Sequence, residues 1–241
     1  NLKKAYYSVW REGLFKKMEQ EGVPEKLVRL VRVWYQGVSV KVKVNDVVSS
    51  SFETKVGVKQ GDTLSPLLFN IFINGIVQKV KEDGDGGGLG GLKVPVLLFA
   101  DDMVLIADGE VELERMVRKV KEYCEEWRLE VNVNKTKVMV VSKDGMKEAK
   151  VRYSDVELEC VNEYVYLGTL FSSNGKWDGE IERRRQIGRA ALCSLNKQVV
   201  WNRNVPIRVK KLVFEAMVKS KLLYGGDIWW AGKKDIGKVE T

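Results

Sequence analysis

Two adjacent carboxylates, Asp101 and Asp102, stand between the apolar runs VLLFA and MVLIA in the stretch FADDMVLIAD. Taken alone, Asp-Asp in a hairpin turn is just a turn, because Asp tolerates turn backbone and hydrogen-bonds to it. The flanking runs change that weighing. Both are apolar on both faces, which predicts a hairpin inside the fold. Two carboxylates at the tip of a buried hairpin repel one another unless a cation lies between them. Hard oxygen ligands on rigid strands suit Mg2+ (or Mn2+), which also takes substrate phosphates as ligands. Two such ions about 3.5–4 Å apart form a clamp for phosphoryl transfer, which needs a further carboxylate from another strand.

Composition supports metal-assisted chemistry by removing its rivals. The chain has no histidine, which excludes Ser-His and Cys-His nucleophile pairs, His-ligated zinc and the usual neutral-pH general base. Cys124, Cys160 and Cys193 are too far apart for zinc spacing or a disulfide framework, so a reduced, intracellular setting is expected. No apolar run approaches the roughly 18 residues of a membrane span, so no membrane partner is expected. The first residue is Asn rather than Met, which suggests a processed chain or a piece of something longer. Net charge is +8, and it is localised: between Asp178 and Lys221 there are six Arg and five Lys against four acids. Such a basic region suits a polyanion, although a solvated helix surface reads the same way.

The elements that must position the carboxylates follow from periodicity. PEKLVRLVRVWYQ (24–36) has helical spacing at Leu27, Leu30, Val31 and Trp34. GVSVKVKVNDVVSSSFETKVGV alternates about Asn45-Asp46 as a β-hairpin. Ser65-Pro66 marks a helix start, with Ser65 as cap, and LLFNIFINGIVQKV should be deeply buried. DGDGGGLGG (83–91) reads as a flexible connection. Its G-x-G-x-x-G (Gly86, Gly88, Gly91) follows a helix and precedes a strand, the reverse of a dinucleotide fold. Glu110–Arg128 is an amphipathic helix with Leu113, Met116, Val117, Val120, Cys124 and Trp127 on its core stripe. Short strands follow, then basic helices from Asp178 onward, the second opening at Pro206 with Ile207, Val213, Ala216 and Met217 inward.

FADD, preceded by GVKQGDTLSPLLFNIFING and followed by VNVNKTK and YLGTLFSSNG, resembles the reverse transcriptase domain of non-LTR retrotransposons. The resemblance runs in order from residue 1 to about 230. It implies an α+β right-hand polymerase fold: an antiparallel palm sheet backed by helices (1–175), then a basic helical thumb (176–241), with the fingers largely absent. It implies an enzyme that copies an RNA template onto a DNA primer from deoxynucleoside triphosphates, with Mg2+ or Mn2+, and a nuclear location. Residue by residue, Asp101 and Asp102 match the catalytic, metal-binding pair. Lys135 matches a lysine beside the departing pyrophosphate, while Gln60 and Gly61 match the segment along the incoming nucleotide. Tyr6 matches the aromatic that screens the 2′-hydroxyl. Tyr166, Leu167 and Gly168 match the grip on the primer end; Arg183, Arg184, Arg185 and Arg189 would meet the backbone of the RNA–DNA duplex.

The match fails at one ligand. NLKKAYYSVW resembles the motif that supplies the third carboxylate, but Asn1 stands where its metal-binding Asp belongs, and Tyr7 replaces the second Asp. Asn is a neutral ligand, so an impaired polymerase is expected. The alternative is a non-catalytic RNA- or DNA-binding protein built on the same fold.

Overall fold

The structure, a computed structural model, describes residues 1–82, 84, 86–89, 92–142, 148–195 and 199–229. It mixes helix and strand and divides into two compact units. The first comprises Asn1–Lys137 and Lys150–Glu159, the second Val138–Ala149 and Cys160–Thr241. Among the described residues, no helix is long and apolar enough to cross a membrane.

The first unit opens with helices α1 (Ala5–Ser8), α2 (Arg11–Gln20) and α3 (Glu25–Trp34). In α3 the buried positions are Val28 and Val31, followed by Tyr35, whereas Leu27, Leu30 and Trp34 are exposed. Of the four positions the spacing picked, only Val31 lies in the core, because Val28, Val31 and Tyr35 form a second apolar stripe of the same spacing. The hairpin forms as expected. β1 (Ser39–Val40) pairs with β4 (Phe52–Glu53) and β2 (Lys43–Val44) with β3 (Val47–Val48). Val44 faces Val47 across Asn45-Asp46, and Asn45 takes the left-handed φ of 53° that such a turn needs.

Helices α4 (Ser65–Ile73) and α5 (Gly75–Lys81) bury Leu68, Phe69, Phe72, Ile73, Ile76 and Val80, although Leu67 faces solvent. Ser65 is not the cap. Asp62 Oδ1 accepts the Leu64 N–H at 2.9 Å, and the buried Ser65 hydroxyl lies 3.3 Å from the Tyr35 hydroxyl. Part of the glycine-rich connection forms a strand. Gly87–Leu89 forms β5 against β6 (Leu92–Val94), ahead of β7 (Val96–Phe99) and β8 (Asp102–Leu105). Absent side chains allow it: a Cβ on Gly86 would come within 2.7 Å of Pro95 N, and one on Gly87 within 2.6 Å of Ile106 Cγ2. Gly91 of the G-x-G-x-x-G lies outside the described residues.

Helix α6 (Glu110–Glu126) closes the core with Met116, Val120, Tyr123 and Cys124. The Tyr123 hydroxyl donates to the Phe72 carbonyl at 2.7 Å, and Phe72 meets Trp127 edge-on at 6.0 Å. The chain leaves this unit through β9 (Lys137–Val138), returns for β10 (Arg152–Tyr153) and β11 (Val156–Glu157), and leaves again through β12 (Glu159–Cys160). In the second unit β13 (Glu163–Tyr166) pairs with β14 (Thr169–Ser172), ahead of α7 (Asp178–Leu195) and α8 (Ile207–Phe214). A π-helical turn, Glu215–Lys219, then leads into α9 (Ser220–Leu222) and α10 (Gly226–Trp229). The wider i→i+5 turn rotates the inward face, so Val218 is buried and Val213 packs beside it, while Ile207, Ala216 and Met217 stay exposed. Strands pair two at a time throughout, so no wider sheet forms among the described residues.

One buried cation organises the start of the first unit. Arg11, 8% exposed, donates to the carbonyls of Gly57 at 2.9 Å, Val56 at 3.1 Å and Tyr35 at 3.3 Å. It also donates to the Thr54 carbonyl and, at 3.0 Å, to its hydroxyl, with its guanidinium 5.1 Å from the Tyr35 ring centroid. Burial lowers its pKa, yet an arginine remains charged at neutral pH. It thereby fastens the chain that leaves the hairpin onto α2. Arg11→Met keeps the aliphatic bulk but strands several buried carbonyls, and should cost about 3 kcal/mol in urea unfolding. A loss below about 0.5 kcal/mol would mean that water replaces the guanidinium.

Burial pushes the Cys124 thiol from 9.0 to about 12 and the Tyr153 phenol from 10.0 to about 12. Both are held neutral in the fold, so their contribution is complete below those ordinary values and is lost as pH rises toward about 12. Unfolding free energy should fall through that window, and less steeply in Cys124→Ala. Identical slopes would show that Cys124 is not shielded.

Candidate functional site

The Asp pair sits where β7 turns into β8. Phe99 faces Asp102 across the ladder, and Ala100 at φ 50° makes the turn with Asp101. The expectation of burial on both faces holds only in part. Val96 is buried and Leu98 packs on the core, but Leu97 and Phe99, on the other face of the ladder, are 44% and 63% exposed. Asp101 and Asp102 are each half-buried.

Asn1 reaches them through a second short pairing. Leu2 bridges Val131, the Lys3 N–H donates to the Glu130 carbonyl at 2.7 Å, and the Asn132 N–H donates to the Asn1 carbonyl at 2.8 Å. Lys3 and Glu130 also pair through their side chains. This places the Asn1 Nδ2 2.6 Å from Asp102 Oδ1, donating to it. Asn132 serves the other side as well: its carbonyl accepts the N–H groups of Lys135 and Thr136 at 3.1 and 3.0 Å and the Thr136 hydroxyl at 2.9 Å. Those bonds close the short 3-10 turn Val133–Lys135, which ends on the exposed Lys135. One residue thus ties the Asn1 segment to the Lys135 segment.

These donors fit a hard divalent cation in kind, with two carboxylates and, if the Asn1 amide turns its oxygen inward, a third oxygen. They fall one negative charge short of a three-carboxylate set. Among the described residues no three His, Cys, Asp or Glu side chains converge as a metal site.

Tyr6, Gln60 and Gly61 lie on the neighbouring segment. The Val58 N–H donates to the Tyr6 carbonyl at 2.7 Å and the Gly57 N–H to the Val9 carbonyl at 2.8 Å. Tyr6 stacks on Phe69 with centroids 4.9 Å apart, and with Pro66, Asn70, Phe99 and Ala100 it lines an open cavity of about 700 Å³. Gly61 has φ 91° with open space around it, and the chain's own close approach in this segment is at Gly57, where a Cβ would lie 2.8 Å from the Tyr7 carbonyl oxygen. A second contact was not foreseen: the Tyr7 hydroxyl donates to Gln60 Oε1 at 2.6 Å. The residue that replaces an acid in the first motif therefore holds the side chain of the second. Tyr beside an expected acid was the available signal.

In the second unit, Tyr166 ends β13, and Leu167-Gly168 form a two-residue turn with φ 46° and 81°. The four arginines of α7 are not equivalent. Arg184 is buried, paired with the buried Glu180 and donating to the Gly168 carbonyl, so it faces the fold rather than a duplex. Arg183 donates to the same carbonyl at 2.9 Å and pairs with Glu180 at 3.2 Å. Arg185 pairs with Glu182 at 3.2 Å, and Arg189 is exposed. The i,i+4 spacing of Glu180 and Arg184 was legible as an ion pair, but its burial was not.

The family model for reverse transcriptase (RNA-dependent DNA polymerase) matches residues 1–171. A Pol polyprotein from the type-1 retrotransposable element R2 of Nasonia vitripennis is 24% identical over 82% of the chain, which covers 20% of that protein. One from the type-2 element R2DM of Drosophila melanogaster is 26% identical over 73% of the chain and 17% of its own length. The RNA-directed DNA polymerase from mobile element jockey of Drosophila funebris is 20% identical over 100% of the chain and 26% of its own length. The chain therefore spans about a quarter or less of these relatives. It belongs to the reverse transcriptase family, in the form carried by non-LTR retrotransposons.

Proposed function

We propose that this chain is the catalytic core of a retroelement reverse transcriptase, and that Asn1 leaves its metal site one carboxylate short. The contact of the Asn1 amide with Asp102 at 2.6 Å carries this reading, because it puts the residue at the family's third-ligand position beside the Asp pair. Residues 1–175 act as palm and 176–241 as thumb. Divalent ions (Mg2+ or Mn2+) bound at Asp101 and Asp102 would polarise the primer 3′-hydroxyl and the nucleotide's phosphates. Asp101 and Asp102 hold the charge that such ions need, and Lys135 offsets charge on the departing pyrophosphate. Tyr6 closes the cavity on the side of the nucleotide sugar, and Gln60, held by Tyr7, lies with Gly61 along the nucleotide. Tyr166, Leu167 and Gly168 receive the primer end, while Arg185 and Arg189 meet duplex phosphates together with Arg183, which also bonds the turn. RNA template, DNA primer and deoxynucleoside triphosphates are the partners.

The same contact supports a second reading, a chain that binds RNA–DNA duplex without extending it, since Asn satisfies Asp102 by a hydrogen bond and adds no charge. Primer extension on an RNA template, with Mg2+ and separately with Mn2+, separates the two. Extension should be weak in the native chain, absent in Asp102→Ala, and raised roughly 100-fold, or about 2.7 kcal/mol of barrier, in Asn1→Asp. Unchanged extension in Asn1→Asp would remove Asn1 from the ligand set. No extension by any version, with duplex binding retained, would establish the second reading.

A further inference from the structure

The turn Leu167-Gly168 carries an unusual load for a surface hairpin. Leu167 is not glycine, asparagine or aspartate, yet it holds φ 46° in the left-handed region. Such a backbone persists only where its surroundings over-determine it. Here the surroundings are three side chains, two from α7 and one from the turn between α9 and α10. The Tyr224 hydroxyl donates to the Leu167 carbonyl at 2.9 Å. Arg183 and Arg184 both donate to the Gly168 carbonyl. Both tip carbonyls, which a free hairpin would leave to water, are therefore taken by side chains.

The donors are themselves held. The Glu180 side chain is 0% exposed, and its two oxygens divide the work. Oε1 accepts Arg184 Nε, while Oε2 accepts the Leu170 N–H at 2.9 Å, in the strand just beyond the turn. The Arg184 guanidinium lies 4.8 Å from the Tyr224 ring centroid and also donates to the Lys221 carbonyl at 3.5 Å. Trp229 fixes Tyr224 from behind, its Nε1 donating to the Tyr224 carbonyl at 3.0 Å. Glycine at 168 is needed for its φ of 81° and also for room, since a Cβ there would sit 3.3 Å from the Tyr224 ring. A buried ion pair is poor value as a source of stability, because desolvation offsets its attraction. Its specific effect here is geometric: two planar, directional groups fix one turn.

We infer that Glu180, Arg184 and Tyr224 are positioning residues that lock the Tyr166–Thr169 turn in the shape that meets a primer 3′ end. Their effect is to let the chain tell a primer terminus from uninterrupted duplex. This rests on the reading of that turn as a primer grip. It also gives Arg184 a role other than the phosphate contact its sequence position suggests.

The test compares binding of two RNA–DNA hybrids, one with a recessed DNA 3′ end and one blunt and continuous, by fluorescence anisotropy at fixed salt. The native chain, Arg184→Lys and Tyr224→Phe are measured, with amide exchange at Leu170 followed in each. Tyr224→Phe removes only a hydroxyl from a half-exposed ring, so it remains informative if Arg184→Lys fails to fold. The native chain should prefer the recessed end. Tyr224→Phe should reduce that preference about fivefold and Arg184→Lys about tenfold, with binding of the continuous hybrid within about twofold and faster exchange at Leu170. Equal losses on both hybrids would make Arg184 a phosphate contact and overturn the inference. Unchanged preference in both variants would overturn it too. A native chain without end preference would overturn the primer-grip reading and this discrimination with it. Leu170 exchange reports separately on the lock itself, since a rate unmoved in Tyr224→Phe means that the turn holds its shape unaided.

Discussion

The candidate site of the first unit depends on one short pairing, that of residues 1–3 with residues 130–132. It joins the segment bearing Asn1 to the segment that turns into Lys135, and it sets Asn1 against Asp102. Its strength is easily placed. Leu2 and Val131 are 3% and 7% exposed, and burying such side chains contributes about 1.5–3 kcal/mol each. The two backbone hydrogen bonds add about 1 kcal/mol each. Register is fixed more firmly than these sums suggest, because a slip of one residue would turn Leu2 outward and Asn1 away from the Asp pair. Hydrophobic burial at the residue next to Asn1 thus decides where the chemistry is.

At the end of that strand the choice between Asn and Asp sets folding against function. An Asp at position 1 would face Asp102 with like charge, a repulsion of about 4 kcal/mol at 4 Å in a surface-like dielectric. Asn replaces it with a favourable bond to a carboxylate, worth about 1.5–3 kcal/mol. On the proposed reading, Asn1 lets this end of the fold close without a cation and leaves out a charge that would hold one. The second unit uses charge differently. Its Glu180–Arg184 pair is buried for shape, and the exposed Arg189 is left for solvent or a polyanion.

Legibility in the sequence varied with how local the cause was. Asn45-Asp46 and the FADD turn were readable because a turn is set by the residues within it. Along α3, Leu27-Leu30-Trp34 and Val28-Val31-Tyr35 share one spacing, so periodicity could not say which stripe the core would take. The inward face after Pro206 moved because a π turn, a product of packing, shifted it to Val218. Gly57 and Gly61 look alike in sequence and both hold a left-handed φ, yet only Gly57 is also pressed by the nearby Tyr7 backbone. Arg184 read as a surface cation and nothing in the sequence marked Arg11; the burial of both depends on carbonyls remote in sequence. Asn1 was placed by its motif, but the direction of its amide was not, since that follows from Asp102 being an acceptor.

The central claim is that Asn1 belongs to the ligand set of the Asp pair and leaves it short of one charge. Titration of Mn2+ into the native chain and into Asn1→Asp, followed by calorimetry, tests it without requiring turnover. The account predicts that Asn1→Asp binds Mn2+ tighter by tenfold or more, about 1.4 kcal/mol, and that Asp102→Ala in the same background abolishes the gain. Equal affinity in the native chain and in Asn1→Asp would contradict it.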